Sequence, residues 1–264
     1  MAAIAAPHDG VGIAGIAPGV SYVPVRAMGK CGGRLSAIND GIRWAAGTIP
    51  EFNELGEEVW NENPADIIVL PLGLFRTCAP SMQDAINSVT ERGVVVVSAA
   101  GNAAVQAEFY MPGGCENVIS VASSDARGMI TPYSNYGPGI DLMAPGGDLS
   151  RDDNFDGAPD GVLSAKRATN CADPVTGPDV DACFYAYEQG TSMAAMHVAG
   201  ALALIKSQSP DLTAEELTAT LLDRATRPTV DGDVAVPVES TAGCEEITDD
   251  GATCLRSVGG RILD

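Results

Sequence analysis

The sequence predicts an α/β fold: a doubly wound, mostly parallel sheet with helices on both faces. Three observations predict it. Short β-branched and aliphatic runs alternate along the chain with amphipathic helical patterns. Those runs are apolar throughout rather than at every second residue, which marks strands covered on both faces. Finally, 30 glycines and 17 prolines supply the punctuation between many short elements. With 264 residues, 45% of them apolar, the chain is long enough to bury one substantial core, and it reads as a single domain over 1–264. Aromatics make up only 5%, so aliphatic side chains and alanine are expected to fill that core.

The elements follow in order. Val20 to Ala27 (VSYVPVRA) reads as a strand, and Leu35 to Ala46 as an amphipathic helix. Ile67 to Leu72 is a buried-type strand whose Pro71 lacks a backbone donor and is unusual for a central position. A helix is expected over Ser81 to Arg92, with Ser81 as N-cap and Gly93 as its stop. Val94 to Ala99 and Val118 to Ala122 read as further strands, and 125–189 as a loop-rich middle. Two helices close the chain. One opens at Ser192, and the other follows Thr213-Ala-Glu-Glu216, a capping-box pattern. In such a sheet, sites gather at the carboxyl ends of the strands. That points to Leu72-Gly73 and to Ala99-Ala100-Gly101-Asn102.

Charge and composition exclude several functions. A net charge of -20, from 35 acids and 15 bases, argues against binding nucleic acid or an anionic membrane. No run of about eighteen apolar residues is present to span a bilayer. The start Met1-Ala2-Ala3-Ile4 lacks the features of a secretory leader, which leaves a cytosolic chain or a segment of a longer precursor. The seven cysteines, at 31, 78, 115, 171, 183, 244 and 254, form no CxxC pair and no zinc-type cluster with histidine. Disulfides are favoured over a metal site, with one cysteine left over. Gly10-Val-Gly-Ile-Ala-Gly15 matches the dinucleotide fingerprint by letter only: no strand precedes it, and Ala17-Pro18-Gly19 interrupts any helix behind it.

Gly190-Thr-Ser-Met-Ala-Ala-Met-His-Val-Ala-Gly200 is the strongest signal. A serine opening a small-residue helix sits at the positive helix end, where backbone N–H groups can stabilise a developing oxyanion. Taken alone, Ser192 reads either as such a nucleophile or as a helix N-cap. The segment resembles the nucleophile motif of the subtilase family of serine endopeptidases, departing only at Met196. Gly12-Ile-Ala-Gly-Ile-Ala-Pro-Gly19, Ser98-Ala-Ala-Gly-Asn102, Tyr133-Ser-Asn-Tyr-Gly137 and Ala144-Pro-Gly-Gly147 resemble other blocks of that family in the same order, most closely its secreted bacterial members.

The resemblance implies a subtilisin-like fold and a set of roles. Ser192 would be the nucleophile, and Asn102 would donate its side-chain amide to the oxyanion beside the Ser192 N–H. Leu72, Gly73, Ala99, Ala100 and Gly101 would line the substrate edges and the first specificity pocket for an extended polypeptide. A serine nucleophile needs a base and an acid that orients it. The family's histidine aligns a few residues before Met1 and its aspartate earlier still. His197 matches a non-catalytic family histidine, and His8 lies in the loop after the expected histidine helix. The expectation is therefore a subtilase domain missing its N-terminal portion, inactive alone. The alternatives are a degenerate peptide-binding homologue and a metal-stabilised structural module.

Resemblance also pairs Cys78 with Cys115. Asp152-Asp-Asn-Phe-Asp-Gly157, continuing to Asp160, has alternating oxygen ligands and a glycine at the sixth place. Asp152, Asn154, Asp156 and Asp160 read as either a structural calcium loop or an acidic surface turn, and related subtilases favour calcium. Asp9 lies in a loop resembling the family's high-affinity calcium site. The parent protein is expected to be a secreted or periplasmic monomer acting on polypeptides.

Overall fold

The computed structural model describes residues 2–29, 32–165 and 185–225, together with the backbone of four short strands at 235–237, 246–247, 254–257 and 261–262. The centre is a five-stranded sheet. Its strands are β1 (Ile67–Leu70), β2 (Val95–Ala99), β3 (Ile119–Ser124), β4 (Leu142–Pro145) and β5 (Arg261–Ile262). They lie side by side in chain order, every pair parallel.

Alternation along the strands divides the core. Ile68, Leu70 and Val96 face two helices, α1 (Leu35–Ala45) and α2 (Pro80–Thr90), through Ile42, Met82, Ile86 and Val89. Val95, Val97, Ala99, Val121 and Leu142 face the opposite layer, which is α3 (Thr191–Gln208) with α4 (Ala214–Arg224) behind it. α3 buries Ala194, Ala195, Val198, Ala199, Gly200, Leu202 and Ile205. One side lies along β1 to β4, and Gly200 lets Ile16 of the N-terminal segment approach, where a Cβ would meet the Ile16 side chain at 2.9 Å. The α/β fold class is therefore as the sequence predicts.

Several elements differ from expectation. Val20 to Ala27 forms no strand: Tyr22, Val23 and Val25 are exposed, and the segment makes no ladder. It crosses α1, with Val25 and Ala27 over Gly41. The second helix begins at Pro80, capped by Ala79 without a side-chain bond. Ser81 is therefore already inside it, because proline's fixed φ and missing donor suit the first helical position. Gly93 does end that region, at φ +84°. Pro71 lies just past β1, where no ladder hydrogen bond is asked of it. The third helix opens at Thr191 with Gly190 as its cap. The loop-rich middle contains β4, hidden in the sequence by its short LMAP run. The capping box forms as expected, with Glu216 N–H donating to Thr213 Oγ1 at 3.2 Å and Thr213 N–H to Glu216 Oε2 at 2.9 Å.

Candidate active site

The carboxyl ends of β1 and β2 and the N-terminus of α3 meet at one place. Ser192 Oγ donates to the carbonyl of Pro71 at 3.0 Å, next to Leu72-Gly73. Asn102 follows β2, and its Oδ1 accepts from both the backbone N–H and the hydroxyl of Thr191, each at 2.9 Å. The Thr191 hydroxyl in turn accepts from Gly101 N–H at 3.0 Å. Asn102 thus caps α3 from a neighbouring loop, satisfying one of the amides that a helix start leaves without a partner.

These bonds also fix which way the Asn102 amide faces. Its oxygen is committed to Thr191, so its NH2 group faces the other way. A Cβ on Gly190 would lie 3.3 Å from Asn102 Nδ2 and 3.7 Å from both Asn102 Oδ1 and Ser192 N. The Asn102 side-chain amide and the Ser192 backbone nitrogen thus both border the space beside Gly190, at the positive end of a helix. Gly190 keeps that volume open. It has no side chain, and its φ of +143° disfavours any residue with one.

The loop that carries Asn102 is templated by Asn135, which is 0% exposed. Its Oδ1 accepts from Ala103 N–H at 3.0 Å and Val105 N–H at 3.1 Å. Its Nδ2 donates to Ala100 O at 2.7 Å, and its backbone N–H to Gly101 O at 2.9 Å. A second support lies under the nucleophile turn. Gly190 N–H donates to Gly146 O at 2.9 Å, and the adjoining Gly147 O accepts from the Tyr133 hydroxyl at 2.6 Å. Burial raises the pKa of that phenol, so it stays a neutral donor. Asn135, Tyr133 and Thr191 were visible in the sequence within motif blocks, but nothing there distinguished a templating side chain from a spacer.

Neither histidine bonds to Ser192. His197 lies about one and a half turns further along α3, and its Nδ1 meets Met193 O at 2.9 Å. Burial lowers its pKa. His8 Nε2 meets Gly15 O at 2.8 Å.

In the acidic loop, Asp152 accepts from Asp156 and Gly157 N–H, both at 3.1 Å. Asn154 Oδ1 also accepts from Asp156 N–H at 3.1 Å, and Asp160 from Asp153 N–H at 2.6 Å. Asp9 accepts from Val11 N–H at 2.9 Å. The donor set suits a hard cation, yet these oxygens face local amides. Among the described residues no group of three or more His, Cys, Asp or Glu gathers to hold a metal ion. Cys78 and Cys115 form a disulfide that ties the start of α2 to the turn before β3. The other five cysteines lie outside the residues whose side chains are described.

The family model described as the subtilase family matches residues 1–248. The chain belongs to the subtilase family. It is 37% identical over 241 residues to an extracellular protease of Xanthomonas campestris pv. campestris, covering 91% of this chain and 36% of that protein. It is 35% identical over 231 residues to an extracellular basic protease of Dichelobacter nodosus, covering 84% and 34% respectively. This subtilase chain thus spans about a third of the length of those relatives. Among solved structures, proteases from Pseudoalteromonas arctica superpose with a TM-score of 0.74 at 38% identity, covering 99% of this chain and 66% of that one. A cold-adapted subtilisin-like serine proteinase gives 0.60 at 25% identity, covering 82% and 64%.

Proposed function

We propose that residues 1–264 form one subtilase domain that carries the nucleophile and oxyanion half of a secreted serine endopeptidase. Ser192 is its nucleophile, and Asn102 its oxyanion donor together with the Ser192 N–H. The convergence of Asn102 Nδ2 and Ser192 N on the volume left open by Gly190 carries this reading. In subtilisin, loss of such an asparagine donor lowers turnover by about 10²–10³. Leu72-Gly73 and Ala99-Ala100-Gly101 form the edges along which an extended polypeptide pairs through its backbone. The extracellular relatives support secretion.

Neither histidine of these 264 residues is placed to serve as the base. Both histidines hold backbone carbonyls away from Ser192, and the serine hydroxyl is bonded to Pro71. The chain by itself is accordingly silent towards peptide bonds. Purified protein that cleaves a chromogenic peptide, with the activity lost in Ser192→Ala, would overturn that. The Ser192–Pro71 bond also suits a second reading, a groove that binds peptides without cutting them. The two readings part on whether Ser192 can be acylated at all.

Calcium is the ion proposed for Asp152, Asn154, Asp156 and Asp160, with Asp9 in a second loop. The support is the spacing of oxygen donors around Gly157, at φ +85°. Calorimetric binding that weakens in Asp156→Ala is expected. No heat with calcium, and no change on that substitution, would remove the proposal.

A further inference from the structure

Between the two proposed groove edges lies a ring that the oxyanion chemistry does not use. A Cβ on Gly73 would overlap Tyr110 Cε1, and one on Gly101 would overlap Asn135 Nδ2 and come within 2.7 Å of both Cδ1 and Cε1 of the same tyrosine ring. One edge of Tyr110 therefore fills the space towards which both glycines point their missing side chains. We propose that Tyr110 sets the size of the substrate side chain accepted next to the bond under attack, closing the first pocket to all but small residues. This rests on reading Leu72-Gly73 and Ala99–Gly101 as the substrate edges.

The ring cannot easily withdraw. Its backbone belongs to a short antiparallel pair in which Phe75 faces Tyr110 and Leu74 faces Met111. Met111 N–H donates to Arg76 O at 3.0 Å, and Gly114 N–H to Tyr110 O at 2.8 Å. Behind Gly73 the way is blocked as well, since Met111 O lies 2.9 Å from its Cβ position. Glycine at 73 admits an aromatic ring between the edges, and glycine at 101 makes room for both that ring and the Asn135 amide, for a methyl at either position would collide. Burial raises the phenol's pKa, so this wall is neutral near pH 7 and offers a basic substrate side chain no ion pair. The class selected is a peptide with glycine or alanine at that position.

Four blocked tetrapeptides differing only in the last side chain (glycine, alanine, leucine or phenylalanine) test this by titration into isotope-labelled protein. The readout is the amide resonances of Ala100 and Gly101. Alanine is expected to bind at least about ten-fold more tightly than phenylalanine, the discrimination that a few methylenes of lost space impose. Tyr110→Gly is expected to abolish or invert that order, while Tyr110→Phe keeps it. Phenylalanine binding as tightly as alanine in the unsubstituted protein would overturn the proposal. So would an unchanged order in Tyr110→Gly, or in Tyr110→Ser should the glycine variant not fold. Peptides that leave both amides unmoved in every folded variant would instead refute the groove itself, a result distinct from a wrong ranking.

Discussion

Replacing Asn135 by aspartate changes one atom in the template of the Asn102 loop, and the structure says what should follow. The aspartate keeps an oxygen for Ala103 N–H and Val105 N–H. Its second oxygen takes the place of Nδ2, which now donates to Ala100 O across 2.7 Å. A carboxylate there would set two acceptors against each other at a fully buried position. Only the protonated acid can restore the bond, so the folded-state pKa of residue 135 should rise well above the unfolded value of about 3.9. A group raised in the folded state holds its proton there longer, so the variant loses stability as pH climbs from about 4 to 7. A rise of about 3 units, ordinary for a buried acid, corresponds to about 4 kcal/mol lost at pH 7. Near pH 4 the deficit should shrink to about 1 kcal/mol. Urea unfolding of Asn135→Asp and the unsubstituted protein across this range measures the difference directly. A deficit of the same size at every pH would rule out the Asn135 Nδ2 bond to Ala100 O as what holds the Asn102 loop.

Three further outcomes follow from the same geometry. Thr191→Val removes the hydroxyl that joins Asn102 Oδ1 to Gly101 N–H. It should cost about 1–3 kcal/mol and broaden or shift the Asn102 side-chain amide signal; a thermal melt and spectrum matching the parent would count against it. His197 has a pKa lowered by burial, so the folded state binds fewer protons than the unfolded state. Its share of stability is whole above about pH 6.5 and erodes as pH falls below that. His197→Gln should flatten the stability profile between pH 6.5 and 5. Replacing Cys78 and Cys115 together by serine opens a cross-link with a sequence separation of 37. Chain entropy alone puts the loss at about 4 kcal/mol, to be read from denaturant midpoints against the oxidised parent.

Much of this arrangement was legible in the residues because composition and packing agree. The apolar runs from Ile67 to Leu72 and from Val94 to Ala99 read as strands covered on both sides, and α1, α2 and α3 supply that cover for the strands at Ile67–Leu70 and Val95–Ala99. Thr213 and Glu216 announce their helix because both halves of the cap lie within four residues. Signals failed where partners are distant. VSYVPVRA has strand propensity, but whether it pairs depends on a neighbour, and in this structure it lies exposed across α1. LMAP is too short to stand out, yet it sits between β3 and β5 in the sheet. The site shows the same limit. Ser192 and Asn102 stand in motifs, while the bond from Asn135 to Ala100 spans 35 residues and no local pattern records it. Tyr110 is hidden for a similar reason, since its meaning lies in two glycines on other segments.

If Ser192 is the nucleophile proposed above, with Asn102 and its own N–H as oxyanion donors, it should become acylated once a base is supplied. Free imidazole can stand in for that base, and mass spectrometry can detect an acyl group left by an activated peptide ester. Imidazole-dependent acylation at Ser192 is expected, weakened about 10²-fold or more in Asn102→Ala and absent from Ser192→Ala. Acylation that ignores imidazole, or that is undiminished in either variant, would contradict the claim.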